Sequence, residues 1–477
     1  MKFGSRIFGL LVIPAVALVM LLAAEMRPGY FSNLTYLGGL LLLEVVLAAV
    51  WHYEKWFFLI LMLTFLWAGC NLPLAGAASA VRWVFLVVGA AVGFIKWTEH
   101  REQQHFSAIH LIAFLCVLSA AVSGMVSPRT QLSLLKSSSL LLLFLYTSCG
   151  ARIAVVADRQ ATFFKGLLTA CEVVSFVAGF LYLFVHFEVF GNPNSLGAVM
   201  GVVIVPVLFW GVLIAERGQL SHRRIVALCL ASYLLYASIS RAAILGCAVA
   251  VTVMCMAARR QHLLLKLAFL VVLFGAAAAV VQPAQFDALA SSFSQDLIYK
   301  GKPEEGLFGS RKSPWQDTVD VIKESPWFGS GFGTDTMRGR TAQSGSIFRT
   351  VEGTAREHGN SYLALVQYVG LLGIVPFALL LILVLHMIYK VSVWLRKTGN
   401  PNHFAVPLAF ICLSGLIHAF FEDWLFAVGY YLNIFFWTSA FLLWDLRPKL
   451  PQESPVLHPA WKGTPAGPAP IPLSANR

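Results

Sequence analysis

Charge is what this sequence has least of. Asp, Glu, Lys and Arg make up only 12% of its 477 residues, where a water-soluble domain carries roughly 25%. Apolar residues reach 58% and the mean hydropathy is +0.74. A soluble globular domain is thereby excluded, and a polytopic α-helical membrane protein is expected, because only helices and closed barrels satisfy their backbone in lipid. Cysteine patterning is also missing. All eight cysteines (Cys70, Cys116, Cys149, Cys171, Cys229, Cys247, Cys255 and Cys412) fall in or beside apolar segments, with no CxxC spacing. Neither a disulfide framework nor a cysteine metal site fits that distribution, and the bland reading is small packing residues. The histidines offer no HExxH or other metal spacing, and no internal repeat is present.

The net charge of +12 is a number often met in nucleic-acid binders, but its distribution argues otherwise. The Lys and Arg residues are spread over short loops, as topology signals are. Apolar spans are expected near 7–24, 33–50, 56–72, 81–95, 106–124, 134–150, 167–187, 196–214, 225–239, 242–257, 264–281, 360–388, 404–419 and 424–444. Several are short, so about 12 transmembrane helices (12–14) is the expectation. Ile7 to Ala24 lacks a clear small-residue cleavage site and is soon followed by a second apolar stretch, so it reads as a true span. Alternate loops carry the cations: Lys2 and Arg6, Lys55, Lys96 and Arg101, Arg152 to Lys165, Arg217 to Arg224, Arg259 and Arg260, then Lys390 to Lys397. The loops between them are nearly free of positive charge. By the positive-inside rule both termini are cytoplasmic and the long stretch 282–358 lies on the other face.

That stretch is the one place where the chain turns polar, and water-side chemistry is expected there. Four regions follow: N-terminal transmembrane helices over 1–281, an outer loop or cap over 282–359, C-terminal transmembrane helices over 360–446, and a Pro/Ala/Gly-rich tail over 447–477 that composition predicts to be disordered. Within the cap, Ser313-Pro314-Trp315-Gln316 predicts a helix start, with Ser313 as N-cap. The helix should stop near Glu324, before Pro326, and WFGSGFGT should form a glycine-rich turn.

Three residues stand out chemically. Arg241, in YASISRAAILG, lies between two short spans, where a cation costs roughly 2.5–3.5 kcal/mol unless compensated. It either binds an anion or snorkels and pairs with a carboxylate such as Asp423. Arg311, two residues before the expected cap, either meets an anion at a helix N-terminus or is a solvated loop cation. His358 directly precedes a long apolar helix that Asn360 or Ser361 can cap. There the positive helix end favours a neutral imidazole, able to act as a general base; the alternative is a polar interface residue. His418 could pair with Glu422 and Asp423. Asn192 and Asn194 in GNPNSLG either contact a polar headgroup or are simply turn residues. Gly370 and Gly373 read as close helix packing. Two guanidiniums can neutralise a lipid diphosphate while a neutral His takes a proton from an incoming hydroxyl, and no metal or other cofactor is required.

The order of these elements resembles the O-antigen ligase/polymerase superfamily: Ser240-Arg241-Ala242-Ala243, then Arg311, Trp315, Pro326 and Gly329 to Gly333, then His358, Asn360 and Gly370 to Gly373. The resemblance implies a GT-C-type bundle with a periplasmic helical cap in the bacterial inner membrane. It implies metal-independent, inverting transfer of O-antigen glycan from an undecaprenyl diphosphate donor to a lipid A–core acceptor. His358 matches the family's base, Arg241 and Arg311 its donor-diphosphate arginines, and Asp423, more loosely, an acidic residue of the last outer loop. A glycan polymerase or a protein O-oligosaccharyltransferase of the same superfamily is an alternative. A lipid or sugar transporter or flippase is an alternative of another class, although the broken-helix repeats expected of one are not found.

Overall fold

The computed structural model describes residues 54–99, 106–153, 155, 160–214, 222–281, 309–334 and 359–448. Thirteen labelled helices run through them: α1 Glu54–Ala68, α2 Ala75–Glu99, α3 Ala108–Val126, α4 Thr130–Gly150, α5 Gln160–Phe184, α6 Pro193–Leu213, α7 His222–Ala237, α8 Arg241–Ala257, α9 Gln261–Val281, α10 Gly309–Glu324, α11 Ser361–Thr398, α12 Ala405–His418 and α13 Tyr431–Leu446. No strand occurs among the described residues. The chain is a multi-pass helical membrane protein. Six of these helices are long and apolar enough to cross a bilayer, and α8 and α12 are shorter apolar helices. The two spans expected before residue 54 and the predicted C-terminal tail beyond 448 lie outside the described residues.

Two helices show how lipid acts as solvent on one side only. The apolar α6 is 89% buried in its most apolar window, whereas that of α11 is only 28% buried. Leu371, Leu372, Val375, Leu379, Ile382 and Leu385 of α11 are exposed, as expected of a surface that faces hydrocarbon. Without a hydrophobic drive between helices in lipid, packing relies on small residues, and glycines mark the close crossings. A Cβ on Gly201 would sit 2.7 Å from the Ala243 carbonyl oxygen, and one on Gly246 would sit 2.8 Å from that of Ser414. α6 widens into a π turn over Val199–Ile204, and Ser414 Oγ donates to the Gly201 carbonyl at 3.0 Å. In this way α6, α8 and α12 form one tight core.

Several sequence expectations shift. α10 starts by Gly309, so Ser313 is not its N-cap; Pro314 lies inside the helix and Arg311 falls in its first turn. Its end at Glu324 is as expected. The last apolar segment is helical only from Tyr431, because residues 424–430 form a buried apolar loop. Leu425 carbonyl there accepts from Asn433 Nδ2 at 2.7 Å and Trp437 Nε1 at 2.8 Å. Hydropathy cannot distinguish such a loop from a span.

Gly370 is not merely a packing residue. At φ 70° and ψ 180° it interrupts α11, in a region of backbone space that essentially only glycine visits. The glycine-rich turn after α10 fits into the interruption. Ser330 and Gly331 N–H donate to the Gln367 and Tyr368 carbonyls at 2.8 and 3.1 Å. Leu371 and Leu372 N–H donate to Pro326 and Trp327 carbonyls at 2.7 and 3.2 Å. The backbone groups orphaned by the break are thus satisfied from outside, as buried groups must be. Gly329, Gly331 and Gly333 all take positive φ, which lets the turn lie this flat. Its other side meets α3 and α4: Ser127 Oγ donates to the Ser330 carbonyl at 2.8 Å and Ser133 Oγ to the Phe332 carbonyl at 3.1 Å. Gly373, by contrast, is the close-packing residue expected, with its carbonyl accepting from Ser119 Oγ at 2.8 Å.

Candidate active site

Arg241 is the first residue of α8. The chain reaches it through a reversal at Ser238-Ile239-Ser240, where Ile239 adopts φ 51°. A β-branched residue in the left-handed region is strained by about 1–3 kcal/mol. Ser238 Oγ donates to the Leu235 carbonyl at 2.7 Å and accepts from Ser240 N–H at 3.3 Å, so it stabilises the turn. Gly197 lies flush against both serines; a Cβ there would stand 2.5 Å from Ser238 Oγ. The GNPNSLG turn is thereby brought beside Arg241. Asn192 itself is the N-cap of the following helix, accepting from Ser195 N–H at 2.8 Å, which is turn chemistry. Asn194 is part-buried next to it.

Arg311 approaches from the cap. Its guanidinium forms an ion pair with Glu422 Oε1 and its side chain is 15% exposed. It also lies against Gly359, where a Cβ would meet Nη1 at 2.9 Å. Trp315, one turn further along α10, donates to the Gly359 carbonyl at 3.1 Å. The residue that follows His358 in the chain is therefore clamped between Arg311 and Trp315. His358 itself lies outside the described residues. Asn360 caps α11, accepting from Tyr362 and Leu363 N–H at 2.8 and 3.1 Å.

Arg311 acts electrostatically on Arg241 and on His418. The two arginines expected from distant segments thus share one field. Each sits in the first turn of its helix, and α11 begins beside Arg311. Helix N-termini carry partial positive charge and disfavour a cation by about 0.3–1 kcal/mol. Three such ends and two guanidiniums concentrate positive potential at one place, which is the electrostatic description of an anion site.

The loop after α12 closes the floor. Ser361 Oγ donates to the Glu422 carbonyl at 2.7 Å and accepts from Trp424 and Leu425 N–H at 3.0 and 3.1 Å. Asp423 accepts from Tyr368 Oη at 3.3 Å. His418 does not pair with Glu422 or Asp423 as expected; its Nδ1 accepts from the Trp424 indole N–H at 2.8 Å. That bond fixes the tautomer with the proton on Nε2. The buried side chain therefore serves the loop, and the acids are engaged by Arg311 and Tyr368 instead. Among the described residues no group of three or more His, Cys, Asp and Glu is placed to hold a metal ion.

Residues 225–378 match the family model described as O-antigen ligase. That stretch of the chain is similar to the O-antigen ligase family. No curated protein matches the sequence. The matched region contains Arg241, Arg311, His358, Asn360 and Gly370, while Asn192, Asn194, Glu422 and Asp423 lie outside it. The superfamily match thus covers both arginines, and the activity class it brings is glycosyltransferase-like ligation within a membrane. Glu422 was not singled out as a partner of Arg311 in the sequence. The signal was available in principle: a lone carboxylate pair, FFED, at the outer end of an apolar hairpin, where an uncompensated charge is expensive.

Proposed function

We propose that this protein is an O-antigen ligase that transfers O-antigen glycan from undecaprenyl diphosphate to a lipid A–core acceptor, on the periplasmic side of the inner membrane. The observation that carries this reading is the shared field of Arg241 and Arg311, beside the backbone that leads to His358. The arginines bind the diphosphate, and His358 removes the proton from the acceptor hydroxyl. The hydroxyl oxygen attacks the anomeric carbon from the face opposite the diphosphate. The new glycosidic bond forms as the carbon–oxygen bond to the diphosphate breaks, and configuration inverts. The electron pair leaves with the diphosphate, whose charge Arg241 and Arg311 carry; such pre-placed donors supply a large part of the acceleration in many enzymes. The diphosphate, already a good leaving group, does not need protonation.

Glu422 has a definite part in this scheme. It occupies one guanidinium nitrogen of Arg311, and the fork retains further donors for phosphate oxygens. The carboxylate orients Arg311 toward the site and moderates the repulsion between the two arginines. The test uses purified protein, lipid-linked donor and lipid A–core acceptor. His358→Ala should lose transfer by 10²–10⁴-fold, the range for a general base, with donor binding unchanged. Full transfer by this variant would remove His358 from the mechanism.

A further inference from the structure

A second pair of cations lies at the same end of the bundle. Arg82 of α2 and Lys136 of α4 were not singled out in the sequence. Arg82 Nη1 donates to the Gly429 carbonyl at 2.7 Å. Its guanidinium carbon stands 5.8 and 5.7 Å from the ring centroids of Phe65 and Trp83, and its Nε is buried with no hydrogen-bond partner. The Lys136 stem lies against Gly333, the last glycine of the turn, where a Cβ would meet Lys136 Cγ, Cβ and Cδ at 3.0–3.4 Å.

Helix geometry brings the two to one level. α2 and α4 cross at Gly93 and Gly150, whose backbones touch. Counting back from that crossing at 1.5 Å per residue, Arg82 lies about 16 Å and Lys136 about 21 Å up the two helices. Arg82 acts electrostatically on Lys136, so both climb the same way. No carboxylate among the described residues forms an ion pair with either one. Two like charges in apolar surroundings repel, and burying a charge without a partner is costly. Such a pair persists where an anion completes it.

We propose that Arg82 and Lys136 form a second anion site, which takes a phosphate monoester on the acceptor glycolipid. The assignment to the acceptor rests on the reading above, in which Arg241 and Arg311 hold the donor's diphosphate. One loop connects the two pairs: Glu422 engages Arg311 and Gly429 engages Arg82, seven residues further on. A donor site at one end of this loop and an acceptor anchor at the other put a transferable group and its receiver a few residues apart along one segment. A fork on Arg82 and a point charge on Lys136 suit a phosphate with several free oxygens.

The test is direct binding, which does not depend on transfer. The full-length protein in nanodiscs of zwitterionic lipid is titrated with diphosphorylated lipid A, with the same lipid after enzymatic dephosphorylation, and with geranylgeranyl diphosphate as a donor mimic. Lys136→Gln should weaken binding of the phosphorylated lipid about tenfold, the usual scale for a charged hydrogen bond. Lys136→Arg should restore most of it, and the affinity for geranylgeranyl diphosphate should not change. Phosphatidylglycerol and inorganic phosphate are competitors; competition by phosphatidylglycerol at equal concentration would make the pair a general lipid contact and overturn the acceptor assignment. Equal weakening of phosphorylated and dephosphorylated lipid would make Lys136 structural, and loss of geranylgeranyl diphosphate would give the pair to the donor; either result also overturns it. If Lys136→Gln does not fold, Arg82→Gln and the Lys136→Arg rescue carry the same comparison. A positive binding result with no transfer activity would keep this site and remove the proposed reaction instead.

Discussion

The two ends of the bundle treat their cations differently. Where α4 ends and α7 begins, charges are matched. Arg152 Nε lies 2.6 Å from Asp445 Oδ2, and Glu172, 3% exposed, is engaged by Arg223 Nη2 at 2.6 Å and Arg224 Nε at 3.0 Å. At the other end, Arg241 and Arg311 share one field with three helix N-termini, and Arg82 and Lys136 form no ion pair among the described residues. Charges kept for architecture come with their counter-ions. At this end like charges are gathered together, with Glu422 on Arg311 tempering them, and the fold around them must tolerate the excess.

This contrast can be broken in a graded way. The largest effect should come from the donor pair: Arg241→Ala and Arg311→Ala should each lower kcat/KM for transfer by about 10²–10³-fold, the usual loss of one charge-stabilising donor, while Arg223→Ala leaves transfer within twofold. Next, Gly370→Ala should cost stability. It imposes about 1–3 kcal/mol of backbone strain and drives a Cβ into the Trp327 carbonyl; a lower melting temperature and faster proteolysis near residues 326–334 are the readouts. Glu172→Ala should cost about 1–3 kcal/mol, because it strands the part-buried guanidinium of Arg224, and a thermal melt should fall while the KM values stay fixed. The smallest change is expected of Lys136→Met. Removing an unpaired, part-buried charge should leave the melting temperature level or raise it by up to about 2 kcal/mol equivalent, the opposite sign from Glu172→Ala. A fall in stability as large as that of Glu172→Ala would mean that Lys136 has a structural partner after all, and the distinction between the two ends would fail.

Much of this arrangement is written locally in the chain. An arginine between two short spans is conspicuous against hydropathy, so Arg241 stands out. Ser325-Pro326 ends α10 and the three glycines announce a turn, because proline and glycine act on their own backbone. Asn360 caps α11 for the same local reason. What the sequence does not display is pairing across distance. Glu422 meets Arg311 over a separation of 111 residues, and Arg82 and Lys136 reach the same end of the bundle only through the crossing of their helices at Gly93 and Gly150. Periodicity carries no record of either. The start of α13 is hidden for a different reason: Trp424, Leu425 and Phe426 are buried in a loop whose carbonyls are satisfied by side chains, so its composition equals that of a span. Gly370 reads as packing in the sequence, because a break in a helix shows there only through the partner that fills it.

The turn that docks into the Gly370 break also sets a schedule for biosynthesis. The turn meets Ser127 and Ser133 while the α11 carbonyls of Tyr368 and Gly373 meet Ser123 and Ser119, so the latch cannot close until the ribosome has delivered Gly373. Up to that moment α3 and α4 have reached the bilayer without the carbonyls that their serines will meet. A chimera that grafts the cap of a relative onto this chain must therefore bring the matching faces of α3, α4 and α11 with it.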